Sequence, residues 1–113
     1  MSVWDWIHEH DTQAIQAGDF DRLRLRELFD EAGEYFQRDP DLALALLRDG
    51  INLAKSLNEP WWVLFFEHWT LQVLTWFKFD FRDAVSRAVR CVLEARKPGY
   101  ERLPQRICLH EDL

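Results

Sequence analysis

Apolar residues recur along this 113-residue chain at intervals of three and four, and no alternating polar/apolar run is long enough for a strand. The spacing predicts helices throughout. The first covers residues 3–17 and stops at Gly18, a C-cap, after which Asp19 caps the next helix. The second, residues 20–37, carries Leu25, Leu28, Phe29, Ala32, Tyr35 and Phe36, with charges filling its other faces. Arg38-Asp39-Pro40 breaks it: Asp39 is suited to an N-cap and Pro40 to a first helical turn. The third, residues 40–57, turns Ala43, Leu44, Leu47, Ile51 and Ala54 inward and ends at Asn58-Glu59-Pro60. A fourth spans 61–79. Asp80 caps a fifth over 81–97, which Pro98-Gly99 closes. Leu103, Ile107 and Cys108 mark a partial or capping helix within 99–113. Links of a few residues force consecutive helices to run antiparallel.

The pattern also repeats itself. At a spacing of 41 residues, Leu25 falls on Phe66, Leu28 on Trp69, Ala32 on Val73, Tyr35 on Trp76 and Phe36 on Phe77. The register continues across the turn, with Asp39 on Asp80, Ala43 on Ala84, Leu44 on Val85, Leu47 on Ala88, Ile51 on Val92 and Ala54 on Ala95. One period carried through two helices and their turn is the signature of a helical-hairpin array. The expected organisation is one all-α domain of about five to six helices: an N-terminal helix (1–19), a first repeat (20–59), a second (60–98) and the partial helix.

Composition narrows the picture. The chain is 48% hydrophobic and 30% charged, and its six Trp and eight Phe supply much buried area to a thin, two-layer structure. A formal net charge of −6 argues against a nucleic-acid or anionic-membrane binder. Residues 60–77 are nearly apolar, but Glu67 and His68 fall at their centre, so a helix packed on several sides is expected rather than a membrane span. The start lacks the basic and apolar regions of a signal peptide. Two cysteines make no disulfide framework, and Cys91 reads as a small buried hydrophobe in a reducing, cytoplasmic setting.

The chain resembles the tetratricopeptide repeat family. In that family helix B opens on a motif like G-D-Y-x-x-A, with small or apolar residues four and seven positions after the alanine. Here Asp80-Phe81-Arg82-Asp83-Ala84 leads to Ala88 and Cys91, and Asp39-Pro40-Asp41-Leu42-Ala43 leads to Leu47 and Gly50. The helix A positions fall on Leu28, Ala32 and Tyr35, then on Trp69, Val73 and Trp76. The sequence departs from the family pattern in lacking the glycine before each capping aspartate. Its period is also longer than usual, by roughly one turn per helix. The resemblance implies antiparallel hairpins stacked as an α-α superhelix whose concave groove is lined by helix A. That face would hold Arg26, Phe29, Gly33, Phe36 and Gln37 from the first repeat and Glu67, Thr70, Leu74, Phe77 and Lys78 from the second. The family's Lys/Asn clamp for a C-terminal carboxylate is missing.

Adjacent helical residues point about 100° apart, so Trp61 and Trp62 cannot both face one core, and aromatic anchors are enriched at interfaces. Trp4 and Trp6 raise the same point. His8 and His10 lack the i, i+4 spacing of a helical zinc pair, so no metal is expected. Glu67-His68 is the one candidate acid/base pair, and no nucleophile or phosphate loop accompanies it.

The expectation is a non-enzymatic interaction module, without cofactor, that binds a peptide or helix in its groove or pairs with itself as a homodimer. The competing reading is a small helical-bundle enzyme or ligand-binding domain using Glu67 and His68. Two repeats are near the lower limit for an array, which predicts either dimerisation or a longer parent protein.

Overall fold

The computed structural model describes residues 2–100, and within them every regular element is a helix: α1 (Val3–Ala17), α2 (Phe20–Tyr35), α3 (Pro40–Ser56), α4 (Pro60–Trp76) and α5 (Phe81–Ala95). The partial helix expected beyond 100 lies outside the described residues. Capping fixes the starts. The carboxylates of Asp19, Asp39 and Asp80 each accept the backbone N–H three residues on, and Pro40 and Pro60 occupy first helical positions. Ser2 and Asp5 form a reciprocal capping box ahead of α1.

The helix ends turn on left-handed residues. Gly18 (φ 64°) lets the N–H groups of Gly18 and Asp19 return to Ile15 and Ala14, and Asn58 (φ 55°) plays the same part after α3. After α4 the left-handed residue is Phe79 (φ 56°), directly before the capping Asp80. This is where the family motif places its glycine. That turn also ends α4 at Trp76 rather than at 79, because the N–H groups of Phe77 and Lys78 converge on Val73 O and Asp80 N–H reaches Leu74 O. The ends of α2, α3 and α5 fall one or two residues short of the expected 37, 57 and 97.

Consecutive helices pack antiparallel. Arg22, at the start of α2, donates to Leu57 O just past the end of α3, and also to Asp19 and Glu59. It thereby ties the α1–α2 turn to the α3–α4 turn. Its contact holds the Asp19 carboxyl below the usual carboxylate range, and the Glu59 and Asp19 carboxylates together raise the pKa of the guanidinium.

The centre of the fold is α4. Trp62, Leu64, Phe65, Phe66, Thr70, Leu71, Val73 and Leu74 are all buried, which requires neighbours on nearly every side. On one side Trp62, Phe65 and Trp69 meet α1 and α2 through Trp4, Trp6, Phe29 and Phe36. On another, the Phe66 ring lies so close over Gly50 of α3 that a β-carbon there would sit 2.6 Å from it. The third side packs on α5, where small residues (Ala84, Ala88, Cys91 and Ala95) with Val92 permit close approach. No helix among the described residues is long and apolar enough to cross a membrane.

Most of the 41-residue pairs share their burial. Leu25 and Phe66, Ala32 and Val73, Ala43 and Ala84, Leu47 and Ala88, Ile51 and Val92, and Ala54 and Ala95 are buried in both copies. Three pairs do not. Tyr35, Phe36 and Leu44 are half-buried, while their partners Trp76, Phe77 and Val85 are exposed. The expectation that Trp76 and Val85 are packing positions is therefore corrected, Phe77 being expected on the groove face: Leu44 is covered by the following hairpin, and no described element follows α5.

Candidate functional site: the outer face of α4 and α5

The residues expected to line one helix A groove are scattered by the fold. Phe29 is packed among Trp4, Phe36, Phe65 and Trp69, and Phe36 stacks on Trp69 at 5.5 Å, so both belong to the core that α1 closes over α2 and α4. Arg26 is held by Asp11 of α1 and by Asp30. Gly33 is exposed on α2, and Gln37 and Phe77 lie in turns past the helix ends. Lys78 pairs with Asp41 at 2.7 Å.

Thr70, Leu74 and Trp62 are not surface anchors. Thr70 is buried with its hydroxyl donated to Phe66 O, Leu74 is buried against α5, and Trp62 is fully enclosed. Thr70 and Leu74 do border a depression with Leu44, Arg48 and Arg87, but on a helix apolar on nearly every side periodicity carries no information about which side is open. Of the adjacent tryptophans, Trp61 is half-buried and its indole N–H donates to Gly99 O. In the other pair Trp4 is exposed and Trp6 buried.

Glu67 does line a depression. Between α3 and α5, over α4, lies a cleft of about 430 Å³ bounded by Lys55, Glu59, Val63, Glu67, Arg87 and Arg90, among others. Its charges are largely paired. Arg87 reaches Glu67 at 3.5 Å and Asp83 at 3.3 Å, and Lys97 holds Glu94 below the ordinary carboxylate range, with help from Tyr100. Burial, and then donation to Glu94, push the Tyr100 phenol up to about 12. His68 does not line this cleft. It sits about 100° further round the helix, edge-on to Trp69, so α4 holds Glu67 and His68 apart. No cluster of three or more His, Cys, Asp or Glu among the described residues is placed to hold a metal ion.

An extended exposed apolar feature lies elsewhere. Phe81, Val85, Val89 and Leu93 follow one another at intervals of four along α5, with exposures of 57%, 59%, 43% and 56%. They form a second stripe beside the buried one, so α5 is apolar over about half its circumference. Trp76, 64% exposed at the end of α4, extends the patch. Between the helices Leu71, Thr75, Trp76, Phe81 and Val85 border a groove of about 370 Å³. The signal was present in the sequence as a contrast between copies: Val89 and Leu93 fall 41 residues after Arg48 and Asn52, both exposed and polar. The 41-residue register, read for likeness, passed over it. The chain matches no protein-family model, no curated protein and no solved structure.

Proposed function

We propose that this protein is a non-enzymatic interaction module, a tetratricopeptide-like stack of helical hairpins that binds a helical or peptide segment of a protein partner. One observation carries the reading: the row of Phe81, Val85, Val89 and Leu93, backed by Trp76 and the α4–α5 groove, is left open, whereas the exposed Trp4, Ile15, Phe20 and Leu42 elsewhere form no such row along one helix. Large exposed apolar patches mark interaction sites, and a groove between two helices suits a partner helix that lays its apolar side into it. The rigid backing, with α4 enclosed and α5 seated on small residues, preorganises the face and limits the ordering cost of binding. The matched burial of the two copies supports the repeat architecture.

The test is selection of helical peptides displayed against the whole chain, followed by Val89→Asp. The selected peptides are expected to lose at least about tenfold in affinity, or 1.4 kcal/mol. Thermal unfolding should stay nearly unchanged, since the valine is exposed. Selected peptides that bind both proteins equally would place the site elsewhere and overturn the assignment.

A further inference from the structure

We infer that the occupant of the α4–α5 face is an acidic amphipathic helix, an inference that rests on the interaction-module reading. The argument is the distribution of charge. The protein is acidic overall, yet the imbalance lies almost wholly in one part: residues 1–77 hold six basic and fourteen acidic side chains, residues 78–100 six basic and three acidic, and residues 101–113 two basic and three acidic. The site is thus on the basic end of an acidic molecule.

The stripe itself is more one-sided still. At about 100° per residue, Arg82 and Arg96 project from the same side of α5 as Val85, Val89 and Leu93. Both arginines are exposed, and neither has an ion-pair partner among the described residues. The helix's own acids are engaged elsewhere: Asp83 with Arg87, and Glu94 with Lys97 and Tyr100. The face therefore presents a continuous apolar row about 18 Å long (twelve residues at 1.5 Å each) with an unneutralised guanidinium toward either end. Arg is suited to bidentate capture of a carboxylate.

A second copy of the chain fits poorly. Stacking α5 on α5 about a two-fold axis sets Arg82 of one protomer against Arg82, or against Arg96, of its partner, and like charges in a desolvated contact are costly. A head-to-tail contact would offer the acidic side of α2, but Glu27 and Glu31 are there already bonded to Arg24, and the exposed large hydrophobic residue on that side, Phe20 at the helix start, makes no row to cover the valines. A helix of about four turns, with leucine-type residues on one side and Asp or Glu along its margins, satisfies both the valines and the arginines.

Three synthetic peptides of about 16 residues test this. They share one leucine stripe and carry Glu, Gln or Lys at the flanking positions. Each is titrated against the full chain by fluorescence anisotropy at low and high salt. The expected result is that the Glu peptide binds at least about tenfold tighter than the Lys peptide, with the margin shrinking in salt. The double variant Arg82→Glu/Arg96→Glu should invert the order, and both positions are exposed enough for folding to survive. Equal binding of Glu and Lys peptides, lost on Val89→Asp, overturns the acidic partner while leaving the docking face intact. Failure of all three peptides overturns the inference. So does a dimer in sedimentation that Val89→Asp dissolves, or stronger Val89-dependent binding to phosphatidylserine vesicles than to the Glu peptide.

Discussion

The two hairpins end in opposite ways. On α3, Leu44 is half-buried and touches the apolar clusters on both sides of α4, while the positions one and two turns further along, Arg48 and Asn52, are polar. On α5 the same register carries Val85, Val89 and Leu93, all exposed. On α2, by contrast, Arg24 is bonded to Glu27 and Glu31, and the large hydrophobic residue exposed beside them is Phe20, at the helix start. Where a neighbour packs, the array is finished with one leucine and polar margins; where none is described, it is apolar for four turns. Under the proposed function, the α5 face is where a partner would take the place of a further hairpin.

Substituting equivalent positions tests that contrast most strongly. Leu44→Glu puts a charge between two apolar clusters and should cost about 2–4 kcal/mol, whereas Val85→Glu should stay within about 0.5 kcal/mol, both read by urea denaturation. Similar costs at the two sites would mean that α5 is covered, and the contrast between the hairpins would fall. The next effect concerns how closely the helices meet. Gly50→Ala drives a β-carbon into the enclosed Phe66 ring and should lose about 1–3 kcal/mol, while Gly33→Ala, with open space around it, should gain about 0.5–1 kcal/mol by raising helix propensity. A neutral Gly50→Ala would show that α3 and α4 can part without loss. The smallest effect compares the turns. Phe79 is two-thirds exposed in a left-handed conformation that Asn58 tolerates better, so Phe79→Asn should stabilise by about 0.5–1 kcal/mol. A lower melting temperature for that variant would mean that the exposed ring is held by contacts worth more than the strain.

The helices and their caps were legible in the sequence because their signals are local. Asp19, Asp39 and Asp80 bond to N–H groups three residues away, and Gly18 and Pro40 act within one turn. The shared core was legible as well, since a 41-residue register aligns positions that meet equivalent neighbours in both copies. The groove was not. Periodicity says that α4 is apolar, not which helix covers each side, and α1 closes over Phe29 through Trp4, outside the repeat altogether. The exposed row on α5 escaped for the complementary reason. Val85, Val89 and Leu93 look like any core stripe until the absence of a described neighbour is known.

The core itself is divided. Trp6, Ile7, Leu25, Leu47 and Phe66 belong to one cluster, and Leu64, Leu71, Ala88, Val92 and Tyr100 to another, with Leu44 and Trp61 packed against both. Such a division lets α5 open as a unit of its own, at a lower free energy than the global unfolding that α1–α4 require. A partner seated on α5 would then do more than cover valines. By binding only the closed form, it would raise the protection of that unit toward that of the rest, so the occupied module would unfold as one piece where the empty one unfolds in two.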